Sequence, residues 1–599
     1  MDRPDEPRTT DLYENNLGYA QPPVISLPDL DDLSLFAAFK VKNNPLAHAL
    51  LNAGMSASGL RQFVQSLKPD ELEAILRANN LRLPGLFAPV LSATAALLAD
   101  PRPLSPYQRA ATLIFGAYSL HRSIQAAELE PDHRHGQTLE MGQYPNLFST
   151  SLIVEGDKPR LFKSIFEPQI TVLIAGRIYL IQLGDLKSEI WVENLAVCLQ
   201  QLCATSTPLA AHEIAPGTLT AADSRTQVRI FNQLAANPAV APNLRLLRRS
   251  FLTLCLDLEL TPESPAEAAR LAHSANQSNR WFHSSLQLVV FGNAQACTIM
   301  SFTAYLDGNT MMRGSAEIQS RAAVFPLQLE NPNPADQPFP VQELQWDLDA
   351  KTLPPGLVQR AQAEIQAVLD NSQPATINLP GLGREFLESR HLPPIPTFIL
   401  ALQAAANRAA GRPLAINQFV SLAAYRCMDL TTANLSAAPV QQFAQALNLP
   451  GSPGADPARL AELLKQAQET QSAIVHKARQ QLPVDVLLML YLRTRQGFAR
   501  SRARLSLGAS LFSLALLGQA SLFPARDVIV SHPEIQPQVL VIGRPGARLN
   551  YVRAFGLHYQ LWPDQAVLTF MPGLRWKMPN QEMAGLIEEN LRKIFAIVT

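Results

Sequence analysis

Two pairs of apolar, β-branched runs, each pair folded about a glycine, constrain this chain more than any other feature. Ile170 to Leu183 (ITVLIAGRIYLIQL) breaks at Gly176, and Ser285 to Phe291 (SLQLVVF) leads through Gly292-Asn293 to Cys297 to Phe302 (CTIMSF). Turn residues between such runs predict hairpins. Around them the pattern is helical. Leu35 to Ala99 carries apolar residues at three- and four-residue spacing with breaks at Pro69 and Pro84, a helix is predicted from Tyr107 to about Leu129, and Ala/Leu faces dominate up to Asp257. Helices return from Pro355, with a long one near Thr397 to Ala410. The tail holds strand candidates at Gln538 to Ile542, Phe555 to Leu561 and Ala566 to Phe570, then an amphipathic final helix. Strands interleaved with helices predict an α/β fold in two domains of mixed sheet.

Length agrees, because 599 residues exceed what one hydrophobic core serves. An apolar fraction of 47% with 17% charged residues describes a chain with much to bury. Zero formal net charge removes any global attraction to nucleic acid. Cys198, Cys203, Cys255, Cys297 and Cys427 are scattered and odd in number, which points to neither a disulfide framework nor a zinc site and fits a reducing compartment. Met1 to Gln21 lacks an apolar core, so no secretory leader is expected and the expected location is cytoplasmic. Leu505 to Phe523 approaches membrane-spanning length, but four serines and a glutamine favour a buried helix over a membrane-associated segment.

Several familiar site motifs are missing. There is no G-x-S-x-G elbow, no H-E-x-x-H, no phosphate-binding G-x-x-x-x-G-K-S/T and no G-x-G-x-x-G after a strand. Asp132-His133-Arg134-His135 reads as a solvated turn rather than a metal clip, since two histidines and one carboxylate in a polar loop rarely close a site. No metal is expected, and no permanently bound cofactor.

Five stretches, in order and at matching spacing between about residues 107 and 573, carry a likeness to a known family. They are Gln108-Arg109-Ala110-Ala111 with Leu113-Ile114 and Gly116; Gly136 to Tyr144 with Leu147-Phe148; Asn279-Arg280-Trp281-Phe282 with Ser285-Leu286-Gln287; Pro394 with Ala401-Leu402-Gln403; and Phe555 to Tyr559 with Pro563-Asp564. Together they resemble the carnitine/choline acyltransferases. The resemblance implies two chloramphenicol-acetyltransferase-like domains with a tunnel between them, where acyl-CoA enters from one side and the acceptor from the other. It divides the chain into an N-terminal arm and helices (1–106) packing on the C-terminal domain, a first domain (107–352) and a second (353–599). In such a family a histidine in H-x-x-x-D/E-G takes the proton of an acceptor hydroxyl, which then attacks the thioester; an alcohol is a poor nucleophile without such a base.

Counted from the hairpin, that motif falls on Thr303-Ala304-Tyr305-Leu306-Asp307-Gly308. The Asp-Gly end is kept, and threonine stands at the position of the base. The positions of the two family lysines that bind coenzyme A phosphate hold Arg384, which keeps the charge, and Glu388, which reverses it. The acceptor-binding positions are degenerate: one stretch reads Asn417 to Ser421, the next Asp429-Leu430-Thr431-Thr432. The hydroxyl motif that helps hold the oxyanion falls on Val541-Ile542-Gly543. The family arginine of a D-R-H-L helix aligns with Val486, beside Asp485.

These departures leave three functions open. One is a family protein impaired in transfer that serves in binding, with acyl-CoA or an acyl small molecule as partner. Another is a divergent acyltransferase with a different acceptor, whose base has moved to His283, about one strand away, or to His558; the alternative for His283 is a surface or helix-edge histidine at the domain seam. A third is a membrane-surface protein using Leu505 to Phe523.

Overall fold

The computed structural model describes residues 18–20, 22–27, 57–68, 72 and 93–598, apart from 135, 157, 185–189, 211–212, 223, 302–305, 326–338, 347, 349–352, 354–355, 361, 364–365, 367–374, 427–429, 450–455, 483–526, 544–551 and 574–575. Thr303, Val486 and the Leu505 to Phe523 segment lie outside the described residues.

Two large mixed sheets organise the described chain. The first contains β1 (Ala93–Leu98), β6 (Gln169–Ile174), β7 (Arg177–Gln182), β8 (Thr253–Asp257), β9 (Leu286–Phe291), β10 (Ala296–Ser301), β11 (Val341–Glu343) and β16 (Val541–Gly543), in the order β11-β7-β6-β8-β9-β10-β1-β16. The second contains β12 (Ala375–Pro380), β13 (Ile416–Ser421), β14 (Leu430–Asn434), β15 (Val528–Ser531), β17 (Phe555–Leu561) and β18 (Gln565–Pro572), in the order β12-β18-β17-β15-β13-β14. Short ribbons β2/β3 (His133–Arg134, Gln137–Thr138) and β4/β5 (Thr150–Glu155, Lys158–Lys163) stand apart. Both sheets mix parallel and antiparallel pairs, for example parallel β6/β8 beside antiparallel β6/β7, and parallel β15/β17 beside antiparallel β17/β18. This is the α/β fold with two mixed sheets flanked by helices.

Both predicted hairpins form. β6 and β7 turn through Ala175 and Gly176, which have φ of 50° and 83°, a left-handed region glycine enters freely. β9 and β10 turn through Gly292 to Ala294, and a Cβ on Gly292 would stand 2.2 Å from Leu258 O. The helical reading of Leu35 to Ala99 fails at its end, because Ala93–Leu98 is strand β1. Its small residues are buried on both faces between β10 and β16, where strand pairing decides conformation over local propensity. Sequence position 93–98 therefore sits inside the first sheet. Residues 22–26, by contrast, lie against the C-terminal half: Arg426 N donates to Pro23 O, and Leu482 N to Ser26 O.

Helix α1 (Pro106–Gln125) starts at Ser105, whose hydroxyl accepts from Gln108 N while the Gln108 side chain returns to Ser105 N. It packs against α2 (Gly308–Ala323) at Gly116, where a Cβ would stand 2.3 Å from Ile318 O. In the second half, α3 (Pro394–Ala410), α4 (Pro457–Gln480) and α5 (Asn580–Ile597) cover one face of the sheet and share its core with Phe555, Leu557, Tyr559 and Leu561 of β17. The alternate residues of β17, Gly556, His558 and Gln560, point to the other face. Among the described residues, no helix is long and apolar enough to cross a membrane.

Candidate active site

β16 is the physical link between the halves. It pairs antiparallel with β1, setting Thr94 against Gly543, Ala95 against Ile542 and Ala96 against Val541. Gln560 of the second sheet grips the same segment: its Oε1 accepts from Val541 N at 2.9 Å, and its Nε2 donates to Val539 O at 2.9 Å. Val541, Ile542 and Gly543 thus serve the seam through their backbone. They carry no hydroxyl; the hydroxyl opposite them belongs to Thr94, buried with its Oγ1 unpartnered.

A second bridge crosses nearby. Arg134 pairs with Glu534, whose Oε1 also accepts from Ser421 N at 2.8 Å and faces Arg479 at 3.2 Å. Glu534 N donates to Asn309 Oδ1 at the start of α2. Burial pushes the Glu534 carboxyl up, but Arg479, Arg134 and the Ser421 amide together hold it below its ordinary value. The solvated turn expected at 132–135 is corrected here. Asp132 and Arg134 are both buried, Asp132 taking hydrogen bonds from the Tyr144 hydroxyl and from Arg313. The turn is structural because its charges are paired across the fold.

Each histidine has a distinct environment. His283, for which a surface or helix-edge position at the domain seam is one expectation, is instead in the core of the first half, 5% exposed, packed on Phe231 and Trp281 with ring centroids 4.6 and 5.6 Å away. Its Nε2 meets Gln227 Oε1 at 3.0 Å, and burial, aided by Arg248, pushes its pKa down to about 3. His558, on β17, places Nδ1 3.0 Å from Ser531 Oγ across the β15/β17 pair. Its Nε2 is closed off and unpartnered, and burial, with His532, brings its pKa to about 4. His532 was not anticipated from the sequence. Its Nδ1 donates to Pro533 O at 2.8 Å, which leaves Nε2 to accept from the Gln418 amide at 3.0 Å. The signal for it is local: the β-branched run Val528-Ile529-Val530 ends in Ser531-His532.

The remaining candidates are spread over both halves, Asp307 in the first and the others in the second. Asp307 is the N-cap of α2, accepting from Thr310 N at 2.8 Å while its own N–H goes to Gln143 Oε1, so its role is to start a helix. Arg384 and Glu388 form an i,i+4 pair at 3.5 Å, each cancelling the other's charge on a short helix. Gly383 before them fits against the β17–β18 turn, where a Cβ would meet Trp562 O at 2.3 Å. Asn417 on β13 is buried with Nδ2 unpartnered, and Leu430 opens β14 opposite Ser421. No group of three metal-ligating side chains occurs among the described residues.

Comparisons with known proteins place this arrangement. Over 295 residues the chain is 25% identical to mouse mitochondrial carnitine O-palmitoyltransferase 2, a match covering 48% of this chain and 43% of that protein. Over 401 residues it is 22% identical to carnitine O-acetyltransferase of Columba livia, covering 63% of this chain and 60% of that one. The match thus spans less than half the length of the palmitoyltransferase relative. Among solved structures, the first condensation domain of the calcium-dependent antibiotic synthetase, in complex with a substrate analogue, superposes with a TM-score of 0.39 at 11% identity, over 88% of this chain and 94% of that one. The family model described as choline/carnitine O-acyltransferase matches residues 87–519. With its two mixed sheets joined through β16, the chain belongs to the choline/carnitine O-acyltransferase family.

Proposed function

We propose that this protein is a choline/carnitine O-acyltransferase-family member whose own acyl transfer, from acyl-CoA to a small hydroxyl acceptor, is strongly impaired, and which works by binding. The observation that carries this reading is Thr303 at the position where the resemblance expects the base. A threonine hydroxyl does not accept a proton near neutrality, and a general base contributes about 10²–10⁴-fold. Two features support it. The Arg384–Glu388 pair leaves little net positive charge for a coenzyme A phosphate, and His283 is enclosed in the core of the first half. The seam crossed by β16, between the proposed domains 107–352 and 353–599, is the place where acyl-CoA and acceptor would meet.

The test is thiol release from acetyl-, octanoyl- or palmitoyl-CoA with carnitine or choline. We expect release near background from the natural protein, and a rise of about 10²-fold or more in Thr303→His. Vigorous turnover by the natural protein would overturn the proposal.

One observation favours a second reading, a relocated base. His558 has one ring nitrogen fixed by Ser531 and the other unpartnered on the sheet face turned from the helices. Under that reading, His558→Gln abolishes whatever transfer the natural protein performs, while His283→Ala leaves it unchanged.

A further inference from the structure

The other end of the first half holds an amine without a counter-ion. Lys163, the last residue of β5, donates from Nζ to Asn146 Oδ1 at 3.2 Å, and among the described residues that neutral amide is its only hydrogen-bond partner. An ammonium has three N–H donors, and a partly buried one ordinarily meets a carboxylate. None pairs with Lys163 among the described residues.

His121 of α1, 8% exposed with Nδ1 enclosed and unpartnered, reaches the same region through Phe166, three residues beyond Lys163. The imidazole lies in an aromatic nest, stacked on Phe166 at 4.6 Å and edge-on to Phe148 and Phe251 at 5.5 and 5.4 Å. Ser149 follows Phe148. It is tied through its backbone to Phe251 O and Ser164 N, has a φ of 50° that a serine rarely adopts, and carries a buried Oγ with no partner. Two enclosed polar atoms without partners in one neighbourhood, next to an uncompensated amine, are costly unless something completes them. Lys163, His121 and Ser149 can each donate a hydrogen bond, and none of the three carries negative charge.

We propose that Lys163, His121 and Ser149 form a binding site for a small oxyanion, a carboxylate or a phosphate, distinct from the β16 seam. The anion takes the spare Lys163 N–H groups and closes the open valences of His121 and Ser149. Burial pushes Lys163 down to about 7, and burial together with Lys163 pushes His121 down to about 4, so a bound anion should raise both by favouring their cations.

Thermal denaturation of the full chain, titrated at constant ionic strength with sodium phosphate in one arm and sodium acetate in the other, tests the site. A saturable rise in Tm with either anion is expected, and the more effective arm identifies the anion class. Lys163→Met should lose the rise, weakening the apparent affinity at least tenfold, while remaining folded and at least as stable as the natural protein without added anion. His121→Phe, which keeps the ring stack, should weaken it less. A second readout is competitive acetylation, in which Lys163 reacts as an amine of much higher pKa once the anion is bound. No saturable rise with either anion, or an equal rise in Lys163→Met, overturns the proposal.

Discussion

At the residue scale, buried imidazoles set the acid limit of the fold. His283 has an ordinary pKa near 6.5 and a folded value of about 3 because burial disfavours its cation. The unfolded chain therefore binds a proton that the folded chain refuses. The resulting stability is fully present above about pH 6.5 and is lost as pH falls toward 3, at up to about 1.4 kcal/mol per pH unit. His283→Phe keeps the aromatic packing and deletes the titration, so the difference in denaturant midpoint between pH 7 and pH 5 should shrink; an unchanged difference refutes this. At pH 7 the same change should cost about 1 kcal/mol, the lost Gln227 contact, since Gln227 keeps Thr220 O and Ala222 O. The proposed place of Thr303 comes from the sequence alone, by counting from the hairpin before it to Asp307-Gly308 after it. The burial of His283 does not, because it depends on Phe231 and Gln227 from a helix far away in sequence.

At the element scale, two contacts decide whether the layers close. Gly116 lets α1 and α2 approach until a Cβ would sit 2.3 Å from Ile318 O and 3.0 Å from Ala322 N, both backbone atoms that cannot swing away. Gly116→Ala should destabilise the chain by about 2–3 kcal/mol, measured as a fall in urea midpoint at unchanged slope. Gln560→Leu is the corresponding probe of the seam. It leaves Val541 N–H and Val539 C=O without their partner, at a cost of about 2–4 kcal/mol, and hydrogen exchange at Val541 should accelerate. Slow exchange there in the variant would mean that pairing with β1 alone holds β16. Hairpins β6/β7 and β9/β10 and helices α1, α3 and α5 could be read from period and turn residues. Strands β17 and β18 were legible too, but β1, β8, β13 and β15 were not, since short runs such as ATAALL and TLCLD have no alternation when both faces are buried.

For the whole molecule, contacts between the halves include β16, Glu534 between Arg134 and Arg479, and the Glu140 N–H to Ala423 O bond. Side chains of Arg134 and Glu534 are 6% and 5% exposed, so removing one partner strands a buried charge, a loss of about 3–5 kcal/mol. Glu534→Gln should open the seam to proteolysis before either half unfolds; simultaneous loss of both halves would refute the coupling. The carboxyl lies below its ordinary value, so its contribution is present above about pH 4.5 and disappears as pH falls through the lowered folded value.

By itself, the sequence determined the alternation of strands and helices, the two hairpins and the family likeness. Each depends on residues close together in the chain, where period, turn chemistry and spacing act. Tertiary structure alone decided that Val541 to Gly543 cross into the first sheet, that His283 is enclosed while His558 meets Ser531, and that Arg134 finds Glu534 some 400 residues away. Strand pairing and charge compensation join positions that no local pattern connects, because a hydrogen bond or an ion pair depends on distance in space and not along the chain.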